Sequence, residues 1–153
     1  TVLKEMTERF ISGELKSPPN LFHYNTVLDI VAKSNTADAP ARAESLLNLM
    51  FEMKEAGHTN IEPESYTFKC IFECFSRAKM LDAAENLLHQ MMDRHIAGHL
   101  KQPPNTLHYN MVLNMFAKCT RNEGATQRAE KLVESMLALH ASGHANVKPD
   151  VIS

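Results

Sequence analysis

Two stretches decide how the rest of the chain is read: Pro-Asn-Leu-Phe-His-Tyr-Asn-Thr-Val-Leu at residues 19–28 and Pro-Asn-Thr-Leu-His-Tyr-Asn-Met-Val-Leu at residues 104–113. A decapeptide that returns in this way points to internal repetition, and the punctuation residues give its period. Gly13, Gly57, Gly98 and Gly143 each stand six residues before a proline, namely Pro19, Pro63, Pro104 and Pro149. The successive proline spacings are therefore 44, 41 and 45 residues. Ala43, Ala84 and Ala129, each followed by glutamate (Glu44, Glu85, Glu130), lie 20 residues before the next proline, so the length variation falls between each proline and the next alanine. Met6, Met50, Met91 and Met136 share one register, seven residues ahead of the glycines.

Within each unit the apolar residues fall on two helical faces. The first stripe runs Tyr24, Val27, Leu28, Val31, then Phe68, Ile71, Phe72, Phe75, then Tyr109, Val112, Leu113, Phe116. The second runs Ala43, Leu46, Leu47, Met50, then Ala84, Leu87, Leu88, Met91, then Ala129, Leu132, Val133, Met136. Spacing of i, i+3, i+4, i+7 is one face of an α-helix. The glycine after the second helix suits a left-handed C′ position, and the proline beyond it introduces the next first helix. Loops are expected at Ser34–Pro40 and Thr120–Ala125, packing on nothing. The organisation predicted is a partial second helix at 1–18, repeats at 19–62, 63–103 and 104–148, and the start of a further repeat at 149–153. A single helix pair of this size cannot bury its apolar face alone, so the expected fold is all-α, an α-solenoid of antiparallel helix pairs with a concave surface.

Composition limits function. The 153 residues are 44% hydrophobic, enough for one packed domain, and 16 basic against 18 acidic residues give a formal charge of −2. A whole-chain positive field that would announce nucleic-acid binding is absent, so any such reading must rest on position. No apolar run reaches the roughly twenty residues that span a membrane. Cys70, Cys74 and Cys119 are too few for a disulfide framework. A soluble protein of a reducing compartment is expected, with no membrane partner. The sequence opens on Thr1 and stops four residues past Pro149, as a piece of a longer protein would.

The repeated Pro-Asn-x-x-His-Tyr-Asn, the closing Lys148-Pro149-Asp150-Val151-Ile152-Ser153 and the Ala-Glu-x-Leu-Leu second helix resemble the pentatricopeptide repeat, in a long-unit variety. The resemblance spans the whole chain. The middle unit departs most, with Phe68-Lys69 where the others have Tyr-Asn. The resemblance implies a right-handed superhelix and modular binding of single-stranded RNA, one base per repeat, in a mitochondrion or chloroplast. The base-contacting pairs it implies are Asn25 with Glu64, Lys69 with Asn105, and Asn110 with Asp150. The side chains that would sandwich the base are Phe22, Tyr66, Leu107 and, in the last partial unit, Ile152. Asn110 with Asp150 resembles the family's uracil pairing, Asn25 with Glu64 is a longer-armed version, and the middle pair is expected to take no base.

Simpler roles exist for the same residues. Asn20, Asn105 and Asp150 precede a first helix and are good N-cap residues, a role one side chain can share with base contact. Asn25 and Asn110 are expected on a solvated helix face. His95/His99 and His140/His144 have the i, i+4 spacing of paired metal ligands, but seven of the eight histidines fall on repeat registers, so no metal site is assigned. Cys70 and Cys74 occupy the positions of Thr26/Ile30 and Met111/Met115 in the other repeats, so packing is their expected role. No Gly-rich phosphate loop, His-Glu-x-x-His or Gly-x-Ser-x-Gly occurs, so neither a catalytic residue, a cofactor nor a small-molecule substrate is expected. The function classes left open are binding of an organellar transcript and a protein-interaction scaffold without RNA contact.

Overall fold

The computed structural model describes residues 20–58, 61–118 and 124–141, together with residues 5, 8, 9, 12 and 13. Among them run six helices: α1 (Leu21–Ser34), α2 (Ala39–Glu55), α3 (Ser65–Arg77), α4 (Leu81–Ile96), α5 (Thr106–Lys118) and α6 (Ala125–Ala141). No strand occurs among the described residues. The odd-numbered helices are the predicted first helices and the even-numbered ones the second.

Each first helix starts on a side-chain device encoded just after the proline. Asn20 accepts from the His23 backbone N–H at 3.1 Å, and its own N–H donates to His23 Nδ1 at 3.0 Å. Asn105 and His108 repeat this reciprocal box at 3.2 and 3.1 Å. The pattern satisfies two backbone donors that a helix start would leave unpaired, with histidine in the place more often held by glutamate or glutamine. It explains why one histidine recurs three residues after each asparagine. In the middle repeat Thr67 takes the histidine's place and accepts from the Glu64 N–H at 3.1 Å.

The second helices end as the glycine spacing predicts. Gly57 and Gly98 have φ of 105° and 81°, left-handed values that an L side chain adopts at a cost. At the first, His58 N–H reaches Met53 C=O and Gly57 N–H reaches Lys54 C=O; at the second, His99 reaches Arg94 and Gly98 reaches His95. These paired bonds form the Schellman motif. His95 Nδ1 also lies 2.9 Å from the Leu100 carbonyl, so this histidine serves the chain exit. Gly143 lies outside the described residues. The end of α3 uses the same bonding without glycine: Lys79 stands at φ 56°, with Met80 N–H on Phe75 C=O and Lys79 N–H on Ser76 C=O.

Contacts divide the chain into two compact units, Thr1–Cys74 and Phe75–Ser153, the division falling within α3. In the first, α1 packs on α2, with Tyr24, Leu28 and Val31 of α1 and Ala43, Leu46, Leu47 and Met50 of α2 all buried. In the second, α5 packs on α4 and α6; Val112, Met115 and Phe116 are buried, as are Leu87, Leu88 and Met91 of α4 and Leu132 and Met136 of α6. Each of the buried leucine, valine, methionine and phenylalanine side chains contributes about 1.5–3 kcal/mol, so the sequence stripes carry the core. Cys70 and Cys74 are buried and not in a disulfide, whereas Thr26 and Ile30, at the same positions of the first repeat, are exposed. The second unit also holds a polar tie between second helices. Arg128 of α6 donates from Nη2 to Asp82 at 2.7 Å and from Nε to Glu85 at 2.8 Å, while its guanidinium lies 5.2 Å from the Phe116 ring centroid.

One expectation changes. The first loop is shorter than residues 34–40: Asn35 turns left-handed at φ 53° and α2 starts at Ala39, with Ala39 and Pro40 buried. Proline's fixed φ suits a first helical turn, so this residue opens the helix rather than belonging to the loop. The segments between glycine and proline add to the core, since Ile61 and Leu100 are buried there. Their offsets from the glycine differ, so repeat alignment does not reveal them.

Candidate functional site

The first unit brings together the residues nominated for its first site. Asn25, on α1, donates from Nδ2 to Glu64 Oε1 at 3.1 Å, and Thr67 on α3 donates from its hydroxyl to Asn25 Oδ1 at 2.7 Å. The two nominated residues are 39 positions apart and meet because Glu64 is the cap position of the next first helix. Asn25 is not on a solvated face, as the sequence pattern suggests, but 9% exposed, while Glu64 is exposed. The reason is local: α3 lays Thr67, itself fully buried, over the amide. Thr67 is a site residue that sequence reading missed. Its only signal is that it shares the register of His23 and His108.

The proposed sandwich side chains are exposed where a core residue would not be. Phe22 is 73% exposed, Tyr66 43% and Leu107 44%, each three residues after its repeat's proline. Lys69 does not project alone. Its ammonium lies 3.3 Å from Glu73 and 5.4 Å from the Tyr66 ring centroid, and the Glu73 partnership raises its pKa. Along α1, Lys33 pairs with Asp29 at 2.7 Å, which lowers the aspartate's pKa and raises the lysine's. Charges on this flank of the first unit therefore largely compensate one another.

A further recurrence escapes the stripe analysis. Lys33, Arg77 and Lys118 each stand 14 residues after their repeat's proline, in the last turn of α1, α3 and α5. A cation there complements the helix dipole, and its repetition also sets one positive charge per repeat on the element that carries the nominated readers.

Asn105 is engaged as the cap of α5 through His108. Lys69 belongs to the first unit and Asn105 to the second. Asn110 is half-buried on α5. Asp150 and Ile152 lie outside the described residues, so the third pair is described only at Asn110. Burial raises the Tyr109 phenol to about 12. Among the described residues no helix is long and apolar enough to cross a membrane. Comparison of the chain with models of known protein families and with curated proteins finds no match to either.

Proposed function

We propose that this chain is a segment of a pentatricopeptide-type array, a right-handed α-solenoid of antiparallel helix pairs. In this reading it binds single-stranded RNA, one base per repeat, in the processing, stability or translation of a mitochondrial or chloroplast transcript, as a binding module without catalytic chemistry. The observation that carries this reading is the meeting of Asn25 with Glu64 across one repeat, the pairing that modular base reading requires. Two recurrences support it: an exposed apolar side chain at Phe22, Tyr66 and Leu107, able to lie against a base, and a cation in the last turn of the first helix, of which Arg77 and Lys118 are able to meet the backbone. At about 1–3 kcal/mol per stacked base, three repeats bind weakly.

The compensated charges at Asp29–Lys33 and Lys69–Glu73 favour a second reading, a protein-interaction scaffold, because RNA draws most of its affinity from uncompensated cations. Binding of the chain to labelled single-stranded RNA pools at two salt concentrations separates the two, with Asn25→Ala and the Asn110→Ala, Asp150→Ala double variant alongside. Salt-sensitive binding that the substitutions weaken supports base reading. No binding at micromolar concentrations leaves the scaffold.

A further inference from the structure

The second helices carry a recurrence of their own. Arg42 and Arg128 each stand immediately before their repeat's Ala-Glu, whereas the middle unit has Ala83 there. In the second unit this arginine is engaged by the preceding second helix: Arg128 of α6 holds Asp82 and Glu85 of α4, two carboxylates at i, i+3 spacing. Arg42 of α2 holds nothing comparable. It is exposed, and its guanidinium makes no hydrogen bond or ion pair among the described residues. Asp38, one turn earlier, does not satisfy it: that carboxyl is held below the usual range chiefly by a hydrogen bond with Thr36, and Arg42 contributes least. The same face of α2 lines an open groove of about 490 Å³, a size in the range of ligand sites. Leu46, buried, and Leu49, half-buried, give it an apolar centre, with Ser45 beside them. Its ends are charged, Asp38 and Arg42 toward the start of the helix and Glu52 ten residues beyond Arg42, about 15 Å along the axis. The Glu52 carboxylate is likewise exposed and without a partner among the described residues.

We propose that this groove docks an amphipathic helix of a partner protein, lying parallel to α2, with two carboxylates at i, i+3 opposite Arg42 and a cation about nine residues on, opposite Glu52. The chain itself supplies the template for such a helix. α4 carries Asp82 and Glu85 near its start and Arg94 in its last turn, nine residues after Glu85. Acid at the start and base at the end also agree with the helix dipole, so this charge order suits the partner helix by itself. Apolar side chains between the charges would fill the Leu46 and Leu49 centre, which supplies affinity, while Arg42 and Glu52 fix register and direction. An antiparallel helix would set its carboxylates against Glu52. A polyanion such as RNA fits poorly, because Asp38 and Glu52 place two carboxylates in the groove against one guanidinium. The surface lies on a second helix, apart from Asn25 and Glu64, so it stands whether or not the chain reads bases.

The test titrates the full chain with a peptide of the sequence of residues 80–97, held helical by a staple at the exposed pair Asn86 and Gln90. Saturable NMR shifts at the backbone amides of Arg42, Ser45 and Leu49 are expected. Arg42→Ala should weaken binding about tenfold, the size of a charge-assisted hydrogen bond, with an unchanged circular dichroism spectrum because Arg42 is exposed. Glu52→Gln should weaken it about two- to threefold, as for a solvated ion pair, and Arg128→Ala should leave it unchanged. A peptide with Asp82→Asn and Glu85→Gln should bind as weakly to the parent chain as the unaltered peptide binds to Arg42→Ala, with no further loss when both changes are combined. Arg42→Glu should in turn favour a peptide with Asp82→Lys and Glu85→Lys. Equal binding of the acidic and amide peptides, or no binding at about millimolar peptide, would overturn the proposal. So would shifts confined to α6 that vanish in Arg128→Ala, which would mean that the peptide merely exchanges with α4. Displacement of the peptide by single-stranded RNA would assign the groove to RNA, and self-association of the chain that Arg42→Ala abolishes would assign it to a second copy; either result would also overturn it.

Discussion

Replacement of Arg128 by alanine tests whether polar ties between successive second helices add to the apolar stripe in holding repeats together. Arg128 reaches across 43 residues to Glu85, and Glu85 is 20% exposed, so its partial desolvation makes the bond matter. A charge-assisted hydrogen bond of this kind contributes about 1.5–3 kcal/mol. Asp82 is 85% exposed and its share is close to zero after solvent screening. The Phe116 face beneath the guanidinium adds about 0.5–1 kcal/mol. The expected loss for Arg128→Ala is therefore about 2 kcal/mol, or roughly 4–8 °C in melting temperature for a chain of this length. Urea unfolding followed by circular dichroism measures it, and a double-mutant cycle with Glu85→Ala isolates the pair. A coupling of about 1 kcal/mol or more, reduced in high salt, is expected. Arg128→Lys should recover less than half, since an ammonium cannot hold both carboxylates in the planar geometry of arginine. A cost below about 0.5 kcal/mol with no coupling would refute the reasoning and leave apolar packing as the sole tie.

Other substitutions probe the local devices. Asn105→Ala should cost about 1 kcal/mol through loss of the α5 cap, and the buried His108→Ala should cost more; His108→Gln should retain part of the box, all read from thermal melts. Lys79→Gly should raise stability by about 1 kcal/mol, because φ 56° strains a side chain and not glycine; a fall in melting temperature would show that the Lys79 side chain makes a compensating contact. Tyr109 favours its neutral form in the folded chain, with its pKa raised by burial from 10.0 to about 12. Its stabilisation is complete below the unfolded value and is lost as pH rises from about 10 to about 12, so Tyr109→Phe should flatten the alkaline limb of stability against pH. Cys70 and Cys74 should react with a thiol reagent only as fast as the fold opens, since both are buried and burial pushes the Cys70 thiol up.

The helices and the identity of the core were legible because each depends on rules that act over a few residues. Apolar spacing of 3.6 marks a buried helix face, glycine marks a left-handed exit, and asparagine after proline marks a helix start. These rules hold wherever the segment sits, so repetition of Tyr24, Phe68 and Tyr109, or of Met50, Met91 and Met136, was sufficient. The histidines were half legible: their register was visible, but the acceptor role of His23 and His108 required the backbone geometry of the first turn.

The candidate site was legible as a list of positions and not as chemistry. The family resemblance nominated Asn25 and Glu64, yet only tertiary structure decided that Asn25 is covered, that Thr67 hydrogen-bonds its amide, and that Glu64 is exposed. Likewise Arg128, Glu85 and Asp82 are ordinary surface residues in sequence, and only the packing of α4 and α6 on α5 brings them together. The sequence by itself determined which residues form helices and which face turns inward, because periodicity and capping are written in neighbours along the chain. Tertiary structure decided which polar groups find one another and which keep an open valence, because hydrogen-bond partners 39 to 46 residues apart are selected by packing, and no local pattern records that distance.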